Sequence, residues 1–177
     1  IWPIDNRKEW AHMNALRMTR DGHWLASFRM TSTVAKIHRQ TGELLWQWGP
    51  GQTSHQHDAR ELDSGNVLMF DNGVHRTRMP GFARIVEVDP NTDQIVWQYM
   101  DKVMLAFQSF MGGGAQRLAN GNTYITEAAT GRLFQVTAEG ETVWEWVNPD
   151  LLPSSFGPTP VIWRSHWYAP GDPRLPL

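Results

Sequence analysis

The chain has 177 residues, 41% of them apolar, with a formal charge of −2 and no cysteine. That length suffices for a packed domain, and the missing cysteine excludes disulfides, thiolate metal sites and cysteine nucleophiles. The near-neutral charge argues against a nucleic-acid partner, and no apolar run reaches the length of a membrane span.

The opening Ile1-Trp2-Pro3-Ile4 has neither the basic nor the apolar region of a signal peptide. No initiator Met precedes it, so processing or upstream sequence is expected. From Trp10 onward a unit occurs three times, each copy ending in a tryptophan: Trp46, Trp97 and Trp144, at separations of 51 and 47 residues. Repeats near that period indicate stacked supersecondary units such as propeller blades. Strand-like runs, short and rich in β-branched and aromatic residues, fall at 24–28, 33–37 and 44–48 in the first copy. They recur at 66–70, 83–88 and 94–99 in the second, and at 122–127, 132–137 and 142–146 in the third. Asp21-Gly22, Ser64-Gly65-Asn66 and Asn120-Gly121-Asn122 stand between runs as hairpin turns, and no stretch carries a sustained helical period. The expectation is an all-β chain, a β-propeller of about three four-stranded blades at 10–50, 55–100 and 110–149. Three blades do not close a ring, so upstream blades or a partner chain, including a second copy in a homo-oligomer, are expected to complete it. The tail, 152–177, holds most of the prolines and one more strand-like run at 161–164, and is expected to pack across the last blade or close the ring edge.

The innermost strands of a propeller line its channel, which gives the first segment of each repeat chemical interest. His12 lies ten residues before Gly22, while His57 and Gly113 each lie eight before Gly65 and Gly121. Arg29 follows the second strand of the first copy and can turn inward toward both histidines. Two imidazoles and a guanidinium suit an oxyanion, and a neutral histidine can attack its central atom. The bland alternative is that both histidines are structural, bonded to backbone. His55 and His57 would share a face if both lay in a strand, but two nitrogens make an incomplete set, so no metal site is expected. Asp58 reads as a group positioning a histidine or pairing with an arginine. Phe70-Asp71-Asn72-Gly73 reads as an Asx turn, or as a channel mouth where Asp71 and Asn72 orient substrate. His75, Arg76, Arg78 and Arg84 cluster in or beside the following loop, while His23, His38 and His166 carry no assigned role.

Four stretches in order, Trp10-Ala11-His12-Met13-Asn14-Ala15-Leu16, Leu25-Ala26-Ser27-Phe28-Arg29, Gln56-His57-Asp58-Ala59 and Phe70-Asp71-Asn72-Gly73, resemble the bacterial arylsulfotransferases and their relatives. The resemblance implies a six-bladed ring in the periplasm or outside the cell. It implies transfer of a sulfuryl group from a phenolic sulfate ester to an acceptor phenol, without a nucleotide donor. Carried over by motif, His57 becomes the nucleophile that is sulfated, and Arg29 and His12 hold the sulfuryl oxygens. Asn14, Asp58, Asp71 and Asn72 are the candidates for contacting substrate. A further histidine of the family pattern, on an earlier blade, has no match in this chain. The competing reading is a non-catalytic propeller, a binding or assembly module with structural channel histidines. Quinone-cofactor dehydrogenases share a Thr-Gly then Trp signature, but no calcium-ligand set stands out and no cofactor is expected.

Overall fold

The computed structural model describes residues 8–76, 81–153 and 157–175. The segment Ile1–Ile4, Arg78 and parts of the tail, on which some expectations rest, lie outside those residues. Blade 1 consists of β1 (Met13–Met18), β2 (Trp24–Phe28), β3 (Thr33–Ile37) and β4 (Leu44–Trp48). Blade 2 consists of β5 (His57–Glu61), β6 (Val67–Asp71), β7 (Arg84–Asp89) and β8 (Gln94–Tyr99). A single 3-10 turn, Met104–Ala106, precedes blade 3: β9 (Gly114–Arg117), β10 (Thr123–Glu127), β11 (Arg132–Val136) and β12 (Thr142–Val147). In each blade the strands pair antiparallel in chain order, giving three separate four-stranded sheets.

One turn geometry recurs at the inner hairpin of each blade. Gly22, Gly65 and Gly121 sit at φ of 83°, 89° and 88°, where a side chain is strained, and their amides donate to Thr19, Leu62 and Leu118. Alternation along β6 then determines the packing. Val67 and Met69 join Leu25, Val34 and Val86 in a core between blades 1 and 2. Leu68 and Phe70 join Ile85, Phe107, Ile125 and Phe134 between blades 2 and 3. β6 is therefore buried on both faces, and each large apolar side chain so buried contributes about 1.5–3 kcal/mol. The tryptophans that mark the repeat act as latches. Trp46 Nε1 donates to Asp93 Oδ1 at 2.8 Å and Trp97 Nε1 to the Ala138 carbonyl at 2.8 Å, each bridging to the next blade.

The run 161–164 is not a strand. Its backbone groups go elsewhere: the Ile162 amide donates to the Ala128 carbonyl at 3.0 Å, and the Trp163 carbonyl accepts from Gly113 at 3.0 Å. Beyond it, Ser165 bonds Tyr124 and Thr126, Trp167 exchanges two hydrogen bonds with Gln116, and the Trp167 ring packs on Tyr124 and Trp144. The tail thus covers the face of blade 3 that points away from blade 2. The corresponding face of blade 1 leaves Leu16 and Met18 exposed.

Candidate functional site

The site begins at the corner where β5 starts and β6 ends. His57 pairs in register with Phe70, and Asn72 lies just past β6. His57 Nδ1 meets Asn72 Oδ1 at 2.7 Å, while Asn72 Nδ2 donates to the carbonyls of Ser109 at 2.6 Å and Gly112 at 2.9 Å. Two carbonyls can be met only by the amide nitrogen, which turns the oxygen toward the histidine. The proton on the neutral ring therefore sits on Nδ1, and Nε2 keeps its lone pair. Burial pushes the His57 pKa down from 6.5 to about 4, with the nearby charges of Arg29 and His12 acting the same way and the bonds to Asn72 and the His55 backbone opposing. At neutral pH His57 is an uncharged imidazole.

Blade 1 forms the matching corner. His12 precedes β1 at φ 45°, its carbonyl accepts the Arg29 amide at 3.0 Å, and its Nδ1 meets Glu9 Oε2 at 2.9 Å. Asn14 reaches across to blade 2, its Nδ2 donating to the Gln56 carbonyl at 2.7 Å. Gln56 is itself buried and donates to Ser27, Phe28 and Thr33, which ties the two corners together. These bonds gather His12, Asn14 and His57, while the Arg29 guanidinium, bonded to Met30 Sδ at 3.4 Å, acts on His57 through its charge.

His12, Asn14, His57 and Asp58 line a cavity of about 290 Å³ with Gly112, Gly113, Trp163 and Arg164. That is near the lower end of small-molecule pockets and suits a single aromatic ring. A Cβ on Gly112 would lie 2.9 Å from Ala128 Cβ and 3.0 Å from the Trp163 carbonyl oxygen, so glycine admits the tail. At Gly114 a Cβ would lie 2.6 Å from Asp58 Oδ2, so glycine admits the carboxylate. Asp58, only 2% exposed, accepts Arg17 at 2.6 Å and Arg60 at 2.5 Å, with Arg164 at 3.8 Å. It is the arginine-pairing group that the sequence suggested. Trp163 and Arg164 were missed as site residues. Nothing in the tail's composition ties it to a histidine more than a hundred residues earlier.

Other sequence candidates lie apart from the cavity lining. Asp71 is fully buried; its carboxylate accepts from Arg76, from Arg84 at 2.9 Å and from the Ser54 amide at 2.9 Å, which makes it a structural tie. Glu127 does the same in blade 3, accepting the Gln108 amide at 2.8 Å, and burial pushes its pKa up. Asn72 holds His57 and does not line the cavity. His55 precedes β5 at φ 57°, so the face-sharing with His57 that a strand would give does not arise, and its ring packs on His75 at 4.0 Å. No group of three metal-ligating side chains converges among the described residues. His23 and His38 stack at 4.6 Å on the outer rim. A larger groove of about 480 Å³ there includes Asp21, His23, Lys36 and Trp46, but Asp21 is already held by Lys36 at 2.6 Å.

Comparison with known proteins agrees with this architecture. A protein of unknown function from Bacteroides caccae is 16% identical with a TM-score of 0.58, covering 82% of this chain and 50% of its own. Virginiamycin B lyase from Staphylococcus aureus is 15% identical with a TM-score of 0.56, covering 84% of this chain and 44% of its own. The WD40 β-propeller domain of Doa1 is 13% identical with a TM-score of 0.55, covering 79% and 41%. At these identities the likeness shows the propeller fold alone, and the chain spans half or less of each structure. No curated protein matches the chain. The family model described as Arylsulfotransferase (ASST) matches residues 4–149, a span holding His12, Arg29, His57 and Asn72. This chain belongs to the arylsulfotransferase family.

Proposed function

We propose that the chain carries the nucleophile of an arylsulfotransferase site and moves a sulfuryl group from a phenolic sulfate ester to an acceptor phenol through His57, with no nucleotide donor. The His57–Asn72 pair carries this reading, because it leaves a neutral imidazole with its Nε2 lone pair in a small cavity. Nε2 attacks sulfur, the sulfur–oxygen bond to the aryl group breaks, and the phenolate leaves with the bonding pair and is protonated from His12 or solvent. The acceptor phenol then gives up its proton by the same route and attacks sulfur, and the nitrogen–sulfur pair returns to His57. Arg29 and His12 hold the sulfuryl oxygens throughout, since a loose transition state gains most from positioning and fixed donors. The covalent intermediate requires ping-pong kinetics. No step calls for a cofactor.

Because the chain spans half or less of the propellers it matches, we infer that further blades, in the same polypeptide or a second chain, complete the ring and the site. Family resemblance supports a periplasmic or secreted location, which cell fractionation checks. The deciding experiment is release of 4-nitrophenol from its sulfate ester, with and without added phenol. Acceptor-dependent release that vanishes in His57→Ala supports transfer. Release that persists in the variant removes His57 as the nucleophile, and silence from a ring with its blades restored favours a binding propeller with structural histidines.

A further inference from the structure

One carboxylate beside the nucleophile faces three guanidinium groups. Arg17 comes from β1, Arg60 from β5 and Arg164 from the tail, and all three converge on Asp58. No other carboxylate lies within salt-bridge distance of these arginines among the described residues. The cluster therefore carries an excess of positive charge. Its donors also outnumber its acceptors: each guanidinium has five N–H groups, and a carboxylate offers roughly four lone pairs. Accordingly, the buried Nε groups of Arg17 and Arg60 have no hydrogen-bond partner. The cluster remains reachable, because the Arg17 and Arg164 side chains are 31% and 49% exposed. Asp58 and Arg164 line the same cavity as His57, and Trp163 adds an aromatic surface beside them.

We propose that Arg17, Arg60 and Arg164 form a second anion subsite, which takes an anionic substituent, a carboxylate or second sulfate, on the aromatic ring whose sulfuryl group faces His57. Guanidinium forks bind such groups bidentately, and Asp58 holds the forks in place while neutralising only one of them. Burial pushes the Arg60 guanidinium below its usual range, Asp58 opposes, and the charges of Arg17 and Arg164 add a repulsion that a bound anion relieves. Trp163 offers a face on which the ring can stack. The subsite makes the enzyme selective for acidic aromatic sulfates over neutral ones. This assignment of substrate class rests on the sulfuryl-transfer reading, whereas the binding it requires does not.

Unreactive sulfonates separate the two. Isothermal titration of the chain with benzenesulfonate, 4-sulfobenzoate and benzene-1,4-disulfonate compares one anionic group with two. The expected result is about tenfold tighter binding of either dianion, weakening with salt. Arg164→Gln, in an extended tail segment with a half-exposed side chain, should reduce that preference to about twofold with the thermal midpoint unchanged, and Arg164→Lys should restore part of it. Tighter binding of only one dianion identifies which substituent the site takes. Equal affinity for all three probes, no binding of any, or a preference untouched in both Arg164→Gln and Arg17→Gln overturns the subsite. His57→Ala should keep the preference: a chain that discriminates the probes without turning over sulfate esters retains the subsite and loses the transfer reading. Turnover without discrimination does the reverse.

Discussion

The three blades offer the same corner three times and furnish it differently. In blade 2 the residue at the start of the inner strand is His57, and the residue seven after the hairpin glycine is Asn72, which holds it. In blade 1 the corresponding pair is His12 and Arg29, and the histidine Nδ1 meets Glu9 instead of an amide. In blade 3 the pair is Gly113 and Ala128, and the tail fills the space, with the Trp163 carbonyl on Gly113 and the Ile162 amide on Ala128. A shared backbone position therefore does not confer a shared role. The partner decides: an amide locked by two carbonyls fixes the tautomer of a neutral imidazole, a guanidinium adds positive charge, and a methyl group leaves room for another segment.

Substituting the two histidines tests that difference most sharply. His57→Ala should lower acceptor-dependent 4-nitrophenol release by more than about 10⁴-fold, as expected for loss of a nucleophile. His12→Ala should cost about 10²-fold, the scale of one proton donor or oxyanion contact. Steady-state rates check both, and equal losses would break the comparison. Asp71→Asn should act on folding, destabilising by about 3–5 kcal/mol in urea titration by leaving buried arginine charge unpaired. Asn72→Ala frees the ring and strands two carbonyls. It should cost about 2–4 kcal/mol of stability and lower kcat, whereas loss of stability alone would reduce the amide to packing.

The pH dependence tests the same burial without touching Asn72. Burial keeps His57 neutral in the folded state, with a pKa of about 4 against 6.5 for the free side chain. Between those values the unfolded chain binds the extra proton, so stability is full above about pH 6.5 and falls as the pH drops toward 4. The loss is about 3 kcal/mol. Thermal midpoints measured across that window should fall in the wild type and less in His57→Gln. The acid limb of the rate profile should likewise lie near pH 4.

Much of this molecule was legible as a string. The strands at 24–28, 44–48 and 94–99 match β2, β4 and β8 to the residue, because a period of two and glycine turns are local properties. The same locality misled at 161–164, where β-rich residues found no strand to pair with. The repeat also marked His12, Arg29 and His57 as corner residues, but not that His12 and His57 line the cavity while Arg29 stands outside its lining.

The residue string alone carried the three-bladed all-β pattern, since turn chemistry and strand alternation act over a few residues. The folded chain alone set the His57 tautomer, which depends on Ser109 and Gly112 through the Asn72 amide, from the approach to the next blade. It alone brought Trp163 and Arg164 to His57 and gathered three arginines on Asp58. Desolvation and hydrogen-bond satisfaction depend on every neighbour in space, and some of those neighbours lie more than a hundred residues away along the chain.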